Sequence, residues 1–255
     1  NTVSHTHVLL KTAFIRARKL GDIPSNPFDL VDAPKRPTKP INSLDAQSVR
    51  QLNQTLGSVA DPFSTAVLLA LMTGMRQGEI CALRWQDVDR VSRKIRVSHA
   101  LTRANGTFAL STPKTRSSAR TIPYGDELAR VLEARARAMH GERESMGLDW
   151  DEGLFVVGNA VTGAWKSPMA LGQEWRAFVR VAKLVGSQGE APRFHDLRHT
   201  FATMAIGSGV DVKTVSAILG HSNAAMTLNV YADARADSKK VSMDLMGRIM
   251  SAGLS

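Results

Sequence analysis

The sequence predicts a mainly α-helical fold with one small three-stranded antiparallel β-sheet, an α+β arrangement. Three observations carry that expectation. Apolar residues recur at helical spacing through most of the chain, in stretches bounded by capping residues and glycines. Between residues 94 and 123 the period drops to two, with a turn signal, Ala104-Asn105-Gly106, in the middle. Hydrophobic residues make up 43% of the 255, enough to bury a core, which excludes global disorder.

The first predicted helix covers residues 1–20, where Val8, Leu9, Thr12, Ala13, Ile15, Arg16 and Leu20 form the stripe and Gly21 stops it. Pro24, Pro27, Pro34, Pro37 and Pro40 then remove amide donors and fix φ, so an extended basic linker is expected there. Ser43-Leu44-Asp45-Ala46 is expected to open a helix with Ser43 as its cap. A second helix of this region is expected over about Pro62 to Met72, with Asp61 as cap and Pro62 in the first position. Its apolar run, Ala66 to Met72, is seven residues long and cannot span a bilayer. After Gly78 a short helix is expected from Glu79 to Leu83. Lys94 to His99, Thr107 to Leu110 and Thr121 to Pro123 are the three expected strands of a single sheet. From Asp126 onward the chain is expected to be helical, interrupted by Gly, Ser and Pro. Near the end Val241, Leu245, Met246, Ile249 and Met250 place a narrow apolar stripe on a short helix. So short a helix must bury that face, either on its own domain or on a neighbouring subunit.

Charge narrows the function classes. The chain carries 33 Lys and Arg against 23 Asp and Glu, a net charge of +10. Such an excess is the footprint of a polyanion binder. Cys81 is the one cysteine, which excludes an internal disulfide framework and a cysteine-rich zinc site. No secretory leader is evident, so a cytosolic protein is expected. The sequence begins at Asn1 rather than Met, and a fragment of a longer protein is expected.

Four short stretches carry chemistry: Thr73-Gly74-Met75-Arg76-Gln77-Gly78-Glu79, Thr112-Pro113-Lys114-Thr115, His195-Asp196-Leu197-Arg198-His199, and Leu219-Gly220-His221 with Tyr231 ten residues on. The chain has only two tyrosines, Tyr124 and Tyr231, and Tyr124 follows Pro123 with no supporting residues. A phenol is ionised in roughly one part in a thousand at pH 7, a deficit of about 4 kcal/mol. A tyrosine nucleophile therefore needs a proton acceptor and a strongly cationic pocket. Two guanidiniums, Arg76 and Arg198, suit the non-bridging oxygens of a phosphodiester under attack. Lys114, between the second and third expected strands, is placed to protonate a departing oxygen, and His195 and His221 to bond the phosphate or shuttle a proton. Plainer roles exist for each: an Arg76–Glu79 ion pair, an Arg198–Asp196 ion pair, a capping His221, a buried helix Tyr231. His195 and His199 are four apart, as zinc ligands are, but a zinc protease needs Glu where this chain has Asp196. No carboxylate cluster offers to hold Mg²⁺. Neither metal nor cofactor is expected.

The order Arg, Lys, His-x-x-Arg, His, Tyr resembles the active-site signature of the tyrosine recombinase (phage integrase) family. Glu79, the Leu83-Arg84-Trp85-Gln86-Asp87 segment and Thr200-Phe201-Ala202-Thr203 agree with it. The resemblance covers about residues 41–240 and implies the catalytic-domain fold of that family. It implies that residues 1–33 are the last helix of a core-binding domain, 34–42 a linker and 43–255 the catalytic domain. Arg76, Lys114, His195, Arg198, His221 and Tyr231 would be catalytic, with Glu79 orienting the arginines and His199 bracing the site. Lys35, Arg36, Lys39, Arg116 and Arg120 are expected to contact the DNA backbone. Trp165 and Trp175 are expected in the core or packed toward DNA, since His221 already fills the second-histidine place. The implied activity is site-specific recombination through a 3′-phosphotyrosine intermediate, integrating or excising a mobile element. The implied partners are double-stranded DNA at attachment core sites, three further copies in a homotetramer on paired sites, and an accessory directionality factor. No membrane partner is expected, and the expected location is cytoplasmic, with the nucleoid. A DNA-relaxing enzyme of the type IB topoisomerase kind, and a catalytically silent DNA-binding relic, are the alternatives.

Overall fold

The computed structural model describes residues 2–34, 40–56, 60–104, 106–112 and 119–221. The chain divides into two compact units, Asn1–Pro40 and Ile41–Ser255. In the first, helix α1 (Thr2–Leu20) ends at Gly21, whose φ of 83° is left-handed. A 3₁₀ turn, Pro27–Leu30, follows, capped by the Asn26 side chain accepting from the Phe28 amide. The rings of His7 and Phe14 pack on Phe28 at 5.2 and 5.4 Å. The expected apolar stripe of α1 is not a buried face: Val8, Leu9 and Leu20 are all more than half exposed.

The second unit is built around α3 (Pro62–Thr73). Asp61 caps it by accepting from the Phe63 and Ser64 amides, and Pro62 takes the first turn, where no donor is needed. Every residue from Ser64 to Ala70 is buried, which is why this stretch is apolar all round rather than striped. It packs against α5 (Asp126–Ser145) and α7 (Phe194–Gly207). Helix α2 (Ala46–Leu56) starts later than expected, and its cap is Asp45, which accepts from the Ser48 amide. Ser43 is instead a buried extended residue: its carbonyl accepts from the Ser187 amide, while the Leu44 amide donates to Thr200 Oγ1.

Helix α4 (Gln77–Ala82) leads through a 3₁₀ turn at Trp85–Asp87 into the strands. The single three-stranded sheet expected from the sequence is two separate sheets. One has the order β1-β2-β5, all antiparallel, from Val88–Asp89, Lys94–Val97 and Arg120–Pro123. The other is a two-stranded ribbon of β3 (Ala100–Ala104) and β4 (Thr107–Ser111). The expected first strand therefore stops at Val97, and β3 and β4 pair in register from Ala100–Ser111 to Ala104–Thr107.

Beyond α5 the chain returns to lie beside the start of the sheet region, with Val156 N–H donating to Leu83 and Trp85 N–H to Leu154. Arg135 of α5 is buried and donates to the carbonyls of Val156, Ala60 and Gly158. It ties two segments, Ala60 and the Val156–Gly158 stretch, to α5 by their main-chain carbonyls, and burial lowers its pKa. Helix α6 (Pro168–Ala182) carries Trp175, wholly buried, whose indole N–H donates to the Pro192 carbonyl at the entry to α7. Trp165 is 40% exposed and meets Phe155 edge-on. Helix α8 (Val212–Leu219) closes the described fold and packs on α7 through a small separate cluster of Ala202, Val215 and Leu219. Among the described residues no helix is long and apolar enough to cross a membrane.

Candidate active site

The site grows from helix ends. Helix α3 ends at Gly74, left-handed with φ 64°, and the turn this makes delivers Arg76 to the start of α4. The Arg76 amide donates to Glu79 Oε2 at 2.8 Å, and its Nη1 donates to Glu79 Oε1 at 2.9 Å. That is the plain ion pair the sequence suggested, and it fixes the first turn of α4 around a buried carboxylate.

Helix α8 ends at Gly220, also left-handed, with the His221 amide donating back to the Ser216 carbonyl. Its last carbonyls have no partner within the helix and carry the negative end of the helix dipole. Three consecutive ones are taken by three arginines. Ile218 accepts from Arg120 Nε, Leu219 from Arg198 Nη2 at 2.8 Å, and Gly220 from Arg76 Nη2 at 3.4 Å. Arg198 comes from the second turn of α7, and its Nη1 donates to the Gly74 carbonyl at 2.6 Å. The end of α3 and the end of α8 are thus held on one guanidinium.

Arg120, expected on the DNA backbone, is a correction. Its side chain is 6% exposed, and its Nη1 and Nη2 fork onto the two oxygens of Glu79 at 3.1 and 2.8 Å. A buried carboxylate beside one half-exposed arginine is under-compensated, and the first residue of β5 supplies the second cation. Burial would raise the Glu79 pKa. The hydrogen bond and charge of Arg120, with the amide and charge of Arg76, outweigh it and hold the group below the ordinary glutamate range.

The histidines sit beside this cluster. Burial first, and then the charges of Arg198, Arg76 and Arg120, push His221 down to about 4. His195 is also lowered to about 4, by withdrawal from water and then by His199 and Arg198. His199 packs edge-on against His195, ring centres 5.0 Å apart, and is lowered too, mainly by burial. Both His195 and His221 are therefore neutral at pH 7. Asp196 does not pair with Arg198 as one reading had it. It accepts from the Arg193 amide, Nε and Nη2, closing the start of α7.

The structure thus gathers Arg76, Arg198 and His221 at the end of α8, with His195 and His199 on α7 and Glu79 beneath. Lys114, Tyr231, Arg116, Lys35, Arg36, Lys39 and the apolar stripe from Val241 to Met250 lie outside the described residues. The Tyr124 hydroxyl donates to the Asp89 carbonyl, and burial raises its pKa, neither of which favours a nucleophile. Burial likewise pushes the Cys81 thiol up to about 12, which keeps it unreactive. Among the described residues no three His, Cys, Asp or Glu side chains stand together as a metal site would need. Sequence reasoning missed Arg120 as an inner member, because the burial of Glu79 that calls for a second cation is seen only in the fold. Chemically, three guanidiniums against one carboxylate, with two neutral imidazoles, make a pocket suited to an oxyanion that gains charge and to proton movement at its edge.

Known proteins resemble this chain in fold and sequence. A Tn1549 transposon integrase, solved in complex with a circular intermediate DNA, superposes with a TM-score of 0.74 at 30% identity, over 96% of this chain and 79% of that one. A XerC-like tyrosine recombinase of Caldanaerobacter subterraneus subsp. tengcongensis is 28% identical over 249 residues, 90% of this chain and 61% of its own length. The ICEBs1 integrase of Bacillus subtilis is 27% identical over 188 residues, 74% of this chain and 49% of its own length. The chain thus spans about half to three-fifths of these two curated relatives. The sequence profile of the phage integrase family matches residues 42–238, a span that takes in the α4 start, the α7 pair and the α8 end alike. By that match over most of its length, and by the fold it shares with the transposon integrase, the chain belongs to the phage integrase family of tyrosine recombinases.

Proposed function

We propose that this chain is the catalytic part of a site-specific DNA recombinase that integrates or excises a mobile element. The observation that carries the reading is the convergence of Arg76, Arg198 and His221 on the end of α8. Cations gathered in this way suit the non-bridging oxygens of a scissile phosphodiester and support the reading. In the proposed step the Tyr231 hydroxyl oxygen bonds to phosphorus and the bond from phosphorus to the 5′-oxygen breaks. His195, neutral at pH 7, accepts the tyrosine proton, and Lys114 gives a proton to the departing 5′-oxygen. A 5′-hydroxyl of a second strand reverses the step, so the energy of the DNA linkage is kept in the phosphotyrosine bond. Arg76, 40% exposed in its side chain, would meet the phosphate first; Arg198 lies deeper, under the same point.

The partners belong to the same proposal. Double-stranded DNA is the substrate, and the transposon relative solved on DNA supports it. A homotetramer on paired core sites, helped by an accessory directionality factor, would carry out the exchange. Residues 1–33 would be the last helix of a core-binding domain, with 34–42 as linker. The exposed apolar residues of α1 fit a helix whose companions belong to such a domain.

The test is covalent trapping. A nicked duplex carrying the junction of the element's ends loses a short fragment on cleavage, leaving protein joined to DNA. Tyr231→Phe is expected to abolish the adduct and leave DNA binding within about twofold, since only a hydroxyl is removed. An adduct that persists in Tyr231→Phe refutes the assignment.

A further inference from the structure

Of the basic residues expected on the DNA backbone the structure describes Arg120, and its guanidinium lies inside the fold. We propose that Arg120 is a positioning residue for the transfer step: it fixes Arg76, through Glu79, and His221, through the end of α8, relative to one another. The proposal rests on the recombinase reading above.

The geometry has three prongs. Two nitrogens fork onto Glu79, whose own oxygens hold the amide and Nη1 of Arg76. The third, Nε, donates to the Ile218 carbonyl, three residues before His221. Helix α4 and helix α8 are far apart in sequence, and Arg76 itself makes a link between them, Nη2 to the Gly220 carbonyl. That link is 3.4 Å long on a side chain 40% exposed. The Arg120 link is shorter at each contact and sits on side chains only 6% exposed. Water competes less there, so the buried link sets the spacing and the exposed one follows it. Only a planar guanidinium reaches a carboxylate with two nitrogens and a carbonyl with the third; a lysine ammonium offers one point charge. Arg120 also opens β5, which is anchored on β2 by the Arg120–Val97 pair, so the clasp is held by the sheet. In sequence it closes the segment that carries Lys114.

A purely structural role would predict a different pattern, because Arg120 also acts on His221 by its charge. Among the described residues the charged and titratable groups facing His221 are Arg198 and His199 from α7, Arg76 from the start of α4 and Arg120 from β5; Glu79 of α4 lies behind Arg76 and Arg120, and Asp196 beside His195 and His199. Helix α8 itself has Asp211 and Lys213 at its far end. Losing one of three arginine charges moves the His221 titration upward toward the ordinary histidine value.

The experiment uses the whole chain with Arg120→Lys and Arg120→Gln. The His221 ring is followed by NMR across pH without DNA, and adduct formation is timed at saturating nicked duplex. Arg120→Lys is expected to keep the low His221 titration, because the charge stays, yet to form adduct about 100-fold more slowly, because the fork is gone. Arg120→Gln is expected to be as slow and to titrate His221 at higher pH. DNA affinity is expected within about threefold in both. Adduct formation by Arg120→Lys within threefold of the parent overturns the proposal, as does an unmoved His221 in a folded Arg120→Gln. Should either variant lose its fold, Glu79→Gln/Arg120→Gln removes both buried charges and leaves two amides facing each other; parental speed in that protein overturns the proposal as well. A parent that forms no adduct, with His221 still responding to Arg120→Gln, indicts the recombinase reading and leaves the clasp standing.

Discussion

Replacing Gly74 by alanine reaches the active site without touching a catalytic group. Gly74 stands at φ 64°, where an L side chain costs about 1–2 kcal/mol. A Cβ built there lies 2.6 Å from Leu219 Cδ2 and 2.6 Å from Phe201 Cδ1. Both neighbours are packed, Leu219 fully so, and such overpacking costs about 1–3 kcal/mol. The two terms together predict a loss of about 2–5 kcal/mol, a large part of the ~5–15 kcal/mol that holds a domain folded. In urea, at about 3 kcal/mol per molar, the midpoint falls by roughly 0.7–1.7 M with an unchanged slope. Relief should be partial in a Leu219→Ala background, because one clash is gone and the φ strain remains; the coupling between the two changes should be about 1 kcal/mol. Adduct formation should fall further than folding explains, because the Gly74 carbonyl and the Leu219 carbonyl both hold Arg198. A midpoint within about 0.3 M of the parent, or strict additivity with Leu219→Ala, refutes the argument.

Three more outcomes follow from the same site. His195 and His221 titrate at about 4 in the folded chain and near 6.5 when unfolded, so the unfolded chain takes up protons first as pH falls. Their stabilisation is complete above pH 6.5 and is lost on the way to pH 4; urea midpoints should decline from pH 6.5 to 5, and His195→Gln or His221→Gln should flatten that slope. Glu79, held low, adds its own loss only nearer its ordinary range, so the upper part of the window reads the histidines. Arg76→Ala should slow adduct formation by about 10²–10³-fold with little change in melting. Arg198→Ala, which strips two buried carbonyls of their donor, should do both, and equal melting of the two variants would contradict the depth assigned to Arg198. Cleavage should survive excess EDTA; activity lost on chelation and restored by Mg²⁺ or Zn²⁺ would count against an arginine-built pocket.

The order of Arg76, His195, Arg198 and His221 is legible in the sequence, because each sits at a helix end marked by local signals: Gly74, Gly220 and the short His-x-x-Arg spacing. The same local logic finds α3, whose Asp61-Pro62 start is complete within four residues. Legibility fails where the deciding partner is distant. Ser43 and Asp45 are both good caps, and the choice falls to Asp45 because the Ser43 main chain is bound to Ser187. Strand β1 has two residues, too few to alternate, so the sheet recruits a strand no pattern announces and leaves β3 and β4 to pair alone. Arg116 and Arg120 look alike in sequence, yet Arg120 is claimed by a carboxylate 41 positions earlier. Arg135 carries no mark at all of the three carbonyls it holds.

A helix C-terminus is an apt place to assemble an anion site of this kind. Three guanidiniums brought together repel one another, and a cluster built only of side chains would splay. The end of α8 offers three carbonyls at fixed spacing with the negative end of the dipole behind them, so each arginine has a partner before any substrate arrives. Glu79 offsets part of the remaining repulsion from below, and its burial keeps it from competing at the half-exposed side of Arg76. The donors are then set before charge develops on a phosphate, which is the condition under which such groups lower a barrier most. The arrangement also makes α8 a shared dependency. It is fastened to α7 by a cluster of only a few apolar side chains, and the arginine links supply much of the rest. A displacement of its last turn would unseat Arg76, Arg120 and Arg198 together and carry His221 with them. The pocket therefore exists as a whole or not at all, and single substitutions within it should behave non-additively.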